Sequence, residues 1–470
     1  MGSPLQILTH DEVDIIKRGS MKILSEVGVQ VNHPVVLKQL RNAGLKTSNS
    51  NVLFEERVVE GAIQRSTKRY VIHARNPTKN VRVGSGELRF LSSAGQRWLV
   101  DPIRRARRKP TTDDLAEAIR LGDGLKDINI VGAMVIPDGL PVPGRAVCVY
   151  AELIKNSSKV IFSWIEHPEE ARGVLQLLDL VAGGAETLKE KPLTWYFCEP
   201  ASPLRFTQES LEILSIFCER GLPISFGPMV QAGLSGPVTL AGTVTQENAE
   251  ILAGVTIAQI LCPGIPVEYG AVCHIADMRS ADISFGSPEQ ALMAAALAQI
   301  GTSYGFAVHV NTGLTDAIVP DAQSGIEKAA TMAISAMAGA EMFGHLGIAG
   351  ADQGASLEQL VIDDEIAGYV KRLVRGIKVN DDTLAVDVIR QTRTGSYLST
   401  PHTTKHMRSE QWFPSILSRS RWDSWVEKNS LDLLSVAAEK KQRIMNEHTP
   451  EPLDPTLEVA IDEVVRKYVP

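Results

Sequence analysis

The chain has 470 residues, too many for one minimal domain, so one large core with additions is expected. A net charge of −7 argues against sequence-independent nucleic-acid binding, and 44% hydrophobic with 22% charged residues is ordinary for a soluble globular enzyme. Five scattered cysteines with no C-x-x-C pair, no apolar run of bilayer length and an N-terminus broken by charges point to a reduced, cytoplasmic protein without a membrane span.

Residues 1–87 read as an entry module. Thr9 and Glu12 form a capping box for a first helix, Pro34 opens a second, and residues 55–66 suggest a third. Two short alternating runs, 70–74 and 80–84, suggest a hairpin. From Leu88 a rhythm begins. The runs LRFLSSA, INIVGAMV, KVIFSWI, PLTWYFCEP, PISFGPMV, PVEYGAV, AVHVN and MFGHLGIAG are short and apolar, as strands buried on both faces are. A helical pattern rich in Ala and Leu follows each. Eight such units predict an α/β (β/α)₈ TIM barrel over 88–377, with the N-terminal α+β extension before it and a helical, irregular C-terminal extension over 378–470. An open doubly wound sheet is the rival. No Gly-rich dinucleotide turn follows the first strand, which favours the barrel.

Five segments in order, KILSEVGVQVNHP, SGPVTLAGTVTQENAEILAG, ADISFGSPEQALM, DAIVPDAQSGIEKA and TPHTTKHMRSEQWFP with SRSRWDSW, resemble the trimethylamine methyltransferase family. The resemblance spans nearly the whole chain. It implies a TIM barrel that moves a methyl group from an amine nitrogen to the cobalt of a corrinoid (cobalamin-type) cofactor carried by a separate small protein. It also implies a homo-oligomer. Trimethylamine-using members carry pyrrolysine in the barrel, whereas this sequence shows standard residues throughout. That favours a quaternary amine such as glycine betaine, whose nitrogen already carries its charge and leaves as a neutral tertiary amine. Trimethylamine itself, or a barrel that binds betaine or the corrinoid protein without catalysis, are the alternatives.

A quaternary ammonium wants aromatic faces. Trp164, Phe226 and Tyr269 lie in predicted strands, with ordinary core packing as the competing use. Glu199 ends the fourth strand, where it can balance a cation or cap a turn. Asn311 and Thr312 end the seventh strand and His345 lies in the eighth. All three suit a substrate carboxylate, and Asp316 lies near them. Arg104, Arg105, Arg107 and Arg108 follow the first strand and Arg279 follows the sixth, so they are candidates for contact with the corrinoid or its protein, or a solvated loop. His402 and His406 have H-x-x-x-H spacing without a third ligand, and no protein-bound metal is expected. No catalytic group beyond positioning residues is expected.

Overall fold

A computed structural model describes residues 5–469. Eight parallel strands form one sheet in the spatial order three, two, one, eight, seven, six, five, four, the circular order of a (β/α)₈ barrel. They are Arg89–Ser92, Ile128–Gly132, Val160–Phe162, Tyr196–Cys198, Ile224–Phe226, Val267–Ala271, Val308–Val310 and Met342–Leu346. The eighth pairs with the first. The seam between the third and fourth strands has no backbone ladder. It is closed by side chains: Thr194 donates to the Ile161 carbonyl at 3.0 Å, the Tyr150 hydroxyl lies 3.3 Å from that of Thr194, and Phe162 stacks on Trp195 at 4.4 Å.

Both extensions are built onto the barrel. In the N-terminal module, strands Val29–Val31, Lys46–Ser48 and Asn51–Leu53 form a sheet that also takes in Arg205–Phe206, a segment that follows the fourth barrel strand. The module therefore does not end at residue 87 in space. It lies on the helix Leu240–Leu261, where Ser20 donates to the Thr245 carbonyl at 2.8 Å. That helix is covered by the barrel on one side and the module on the other, which is why it is buried nearly all round and has no single apolar face. The antiparallel hairpin of Tyr70–Ile72 and Val81–Val83 plugs the amino end of the barrel, packing Ile72, Val81 and Val83 with Val160, Ala307 and Met342.

At the other end of the chain, helices Leu433–Glu447 and Pro455–Tyr468 wrap the outer helices of units eight, one, two and three. Ion pairs pin them: Lys441 to Glu358 at 2.6 Å, Lys155 to Asp462 at 2.6 Å and Lys440 to Asp364 at 3.2 Å. The carboxyl ends of the strands carry two small added sheets. One comprises Leu99–Asp101, Ala106–Arg108, Ile348–Ala349 and Gly354–Ala355; the other comprises Gln231–Ala232, His274–Ala276 and Ile283–Ser284. Their short strands frame the mouth of the barrel.

Candidate active site

Successive side chains of a strand point to opposite faces, so alternate residues of each barrel strand line the lumen. Near the floor these are Leu91, Ile130 and Phe162, with Trp195 and Phe197 from the fourth strand. Towards the mouth the lining turns polar and aromatic. Trp164 is half-buried and sits edge-on to Phe162 at 5.6 Å and to Phe197 at 5.7 Å. It stacks on the His345 imidazole with centroids 5.6 Å apart and planes at 17°. Phe197 in turn meets His309 edge-on at 5.4 Å. Trp164, Phe197, His309 and His345 thus present aromatic surface around one small space.

His345 reaches this space through a break in the eighth strand. The register with the first strand shifts between Phe343 and Leu346, and His345 takes φ +67°, a conformation that costs a non-glycine residue about 1–3 kcal/mol. A buried polar strut holds the distortion. Asp363 accepts from the Gly347 amide at 2.6 Å, from Lys328 at 2.6 Å and from Gln359 at 2.7 Å, while Lys328 also donates to the Gly313 carbonyl at 2.8 Å. Lys328 and Asp363 are both fully buried, so the pair fixes the ends of the seventh and eighth strands from behind. Gly344 leaves room for the His309 ring. A Cβ there would come within 2.9 Å of His309 Nε2.

The lumen holds polar atoms that no protein group satisfies. Ser225 Oγ, Glu268 Oε1, Trp195 Nε1, Asn311 Oδ1 and His345 Nδ1 are all buried without a hydrogen-bond partner. Buried polar groups are normally paired, so such a concentration marks a place for ligand or water. Glu268 also lies 3.4 Å from His309. Burial, with His309 nearby, pushes His345 down to about 3, so its ring is neutral at any ordinary pH. At the mouth the opposite holds for two carboxyls. Burial raises Glu199 to about 7, with a further push from Asp352, and burial raises Asp352 itself to about 7 against a 2.7 Å hydrogen bond from Gln96. Glu199 is open to the space of the mouth while protein surrounds it, so water moderates the size of its shift but not its direction.

The structure brings Trp164, Glu199, Asn311 and His345 to this mouth. Three other residues expected in it face the helices instead. Phe226 is fully buried against the helix Leu240–Leu261, where a Cβ on Gly254 would collide with its ring. Tyr269 points the same way and donates to Asn248 at 2.9 Å. Thr312 faces helix Ala322–Met337, with its hydroxyl 3.2 Å from that of Ser335. Alternation is the reason: each is one residue out of phase with a lumen neighbour, Ser225, Glu268 and Asn311 respectively. Asp316 braces loops, accepting from Ser284 and the Phe285 amide, both at 2.7 Å.

The arginines after the first strand form a hairpin at the rim. Arg108 binds Asp114 through both nitrogens at 2.5 and 2.6 Å, and Arg107 lies over the Trp98 ring at 4.5 Å. Arg104 pairs with Asp101 at 3.7 Å, and Arg105 is exposed at the turn with φ +51°. Arg279 pairs with Asp277 at 2.7 Å. Glu268 and His309 were not anticipated. The period-2 rule would have supplied His309, since it shares a phase with Asn311.

The trimethylamine methyltransferase (MTTB) family profile matches residues 2–469. The chain belongs to the trimethylamine methyltransferase family. It is similar to a glycine betaine methyltransferase of Desulfitobacterium hafniense (strain Y51), 32% identical over 462 residues, covering 98% of this chain and 96% of that one. It is also similar to a trimethylamine methyltransferase MttB of Desulfitobacterium hafniense (strain DSM 10664 / DCB-2), 29% identical over 470 residues, covering 99% and 94%. Among solved structures, the monomethylamine methyltransferase MtmB of Methanosarcina barkeri superposes with a TM-score of 0.57 at 11% identity, covering 98% of this chain and 89% of that one, which supports the barrel fold alone. As a member of this family the protein is a methyltransferase.

Proposed function

We propose that this methyltransferase takes a methyl group from a quaternary amine, glycine betaine foremost, and passes it to the Co(I) of a corrinoid presented by a partner protein. The observation that carries the reading is the mouth itself: Trp164 and Phe197 offer aromatic faces beside a neutral His345, and the carboxyls of Glu199 and Asp352 stand in the same mouth. Aromatic faces and carboxylates in a partly dry cavity suit a permanent cation. When bound, the corrinoid supplies the reduced cobalt nucleophile. The C–N bond breaks with its electron pair passing to nitrogen, and the amine leaves uncharged, so the chain's own task is to hold the ammonium, direct one methyl outward and exclude water.

The acceptor must reach this space from the carboxyl ends of the strands. There the hairpin bearing Arg104, Arg105 and Arg107, and the loop bearing Arg279, form the rim. These arginines are the natural contacts for the corrinoid protein. Among the described residues no helix is long and apolar enough to cross a membrane, and the free cysteines fit a cytoplasmic setting.

A homo-oligomer is supported by the segment 377–431. It buries only Ile416 and exposes Ile377, Leu398, Phe413 and Trp422 by 57% or more each. It leaves the barrel after helix Leu357–Val374, whose carboxyl end lies opposite the mouth, so a second copy fits it better than the corrinoid protein.

Trimethylamine is the second reading, since the family includes enzymes named for it. Parallel incubation with reduced cobalamin and either glycine betaine, tetramethylammonium or trimethylamine separates the two. Methylation of the corrinoid by the quaternary amines and not by trimethylamine is expected. Transfer from trimethylamine alone defeats the reading, and betaine binding without transfer from any of them makes the barrel a binding protein.

A further inference from the structure

A betaine brings a carboxylate as well as an ammonium. The two ends are a short distance apart, so both must be met inside one small space. No lysine or arginine occupies an inward position near the carboxyl ends of the barrel strands, while Glu199, Asp352 and Glu268 are acids. Of the two histidines beside the aromatic faces, burial holds His345 neutral. His309 differs. Its Nδ1 has the Glu268 carboxyl behind it at 3.4 Å, an ion-pair distance, and the two side chains are 4% and 1% exposed. A carboxylate behind one ring nitrogen supports an imidazolium, whose other N–H then points forward.

Forward of His309 is a notch. Gly344 on the eighth strand has no side chain, and a Cβ there would lie 2.9 Å from His309 Nε2 and 3.5 Å from Asn311 Oδ1. That Asn311 oxygen is buried without a hydrogen-bond partner, which is uncommon for a buried polar atom. A half-turn of the amide exchanges its oxygen and nitrogen, so the same position can offer an N–H. A charged ring N–H and an amide N–H converging on one notch suit a carboxylate. The notch also borders the aromatic faces. Gly344 precedes His345, whose ring stacks on Trp164 at 5.6 Å, and His309 meets Phe197 edge-on at 5.4 Å.

We propose that His309, together with the Asn311 amide, binds the substrate carboxylate in the notch at Gly344, and that Glu268 is the positioning residue that holds the charge on His309. This rests on the quaternary-amine reading and adds where specificity for the anionic end resides. Asn311 keeps the role for which it was suited by sequence. His345 gives that role up and stays a neutral neighbour of the cation.

Titration calorimetry tests this by comparing glycine betaine with its methyl ester, which keeps the ammonium and loses the anion. The wild type should prefer betaine by about tenfold in Kd, the scale of one charge-assisted hydrogen bond. His309→Gln removes the charged donor and Gly344→Ala fills the notch. Each should erase the preference and leave the affinity for the ester unchanged. Glu268→Gln keeps the shape and removes the charge behind the ring, so it should lose most of the preference, whereas a merely structural role would weaken both ligands alike. A wild type with no preference, or a His309→Gln variant that keeps it, overturns the proposal and leaves the quaternary-amine reading in place, because the ester still binds. Equal weakening of both ligands in His309→Gln and in Gly344→Ala overturns it too, by making these positions structural. Failure of the wild type to bind either ligand removes the quaternary-amine reading and this subsite with it.

Discussion

Replacing Trp164 by leucine removes the aromatic face that the account places against the substrate cation, and leaves a side chain that still fills part of the space. The indole is half-buried, is edge-on to Phe162 and Phe197, and lies parallel to His345 at 5.6 Å. A cation over a desolvated tryptophan is worth about 2 kcal/mol, and over an exposed one about 0.5–1 kcal/mol. For a half-buried ring we expect about 1.5 kcal/mol, or a roughly tenfold weaker Kd for tetramethylammonium, which isolates the cation from any carboxylate effect. Titration calorimetry measures it, and Trp164→Phe should fall between the two. The control is Phe226→Leu. That ring packs on Gly254 outside the lumen, so the change should cost about 1–2 kcal/mol of stability and leave tetramethylammonium affinity within twofold. A Trp164→Leu protein that binds as tightly as wild type, or a Phe226→Leu protein that loses affinity while remaining folded, refutes the placement of the cation.

Asp352 ionises near 7, and Glu199 is raised in the same direction, so the mouth becomes more negative as pH rises through 7. Tetramethylammonium should therefore bind about three- to tenfold more tightly at pH 8 than at pH 6, and a flat or inverted profile counts against these carboxyls facing the ligand. Asp363→Asn leaves Lys328 charged and unmatched in the core, so it should lose about 3–5 kcal/mol in chemical denaturation. A loss below 1 kcal/mol means that the strut does not hold the strand ends. Light scattering should give a mass at least twice the 51.1 kDa of one chain, and Leu398→Asp with Trp422→Asp should lower it without unfolding the protein. A monomeric wild type rules out the second copy as the partner of 377–431.

The barrel was legible because strands buried on both faces read as short apolar runs, and because eight of them alternate with helix patterns. The same property hides which face a residue serves. In YFC both phases are apolar, so Tyr196 and Phe197 look alike, although Tyr196 faces a helix and Phe197 the lumen. A polar residue inside a buried strand breaks the tie. Glu268 in PVEYGAV must face the polar lumen, which turns Tyr269 outward, and His309 in VHV sets Asn311 inward and Thr312 outward. The bulge at His345 follows no such rule, since a register break depends on the neighbouring strand. The mouth sheets, built from strands of two or three residues, carry too little pattern to be read.

The central claim is methyl transfer from a quaternary nitrogen to cobalt. The most direct measurement incubates the purified protein with Co(I) cobalamin and glycine betaine carrying deuterated N-methyl groups, and follows both products by mass spectrometry. The account predicts one labelled methyl on the corrinoid for each molecule of deuterated dimethylglycine formed. No labelled methyl on the corrinoid at saturating betaine, with trimethylamine serving as donor under the same conditions, contradicts it.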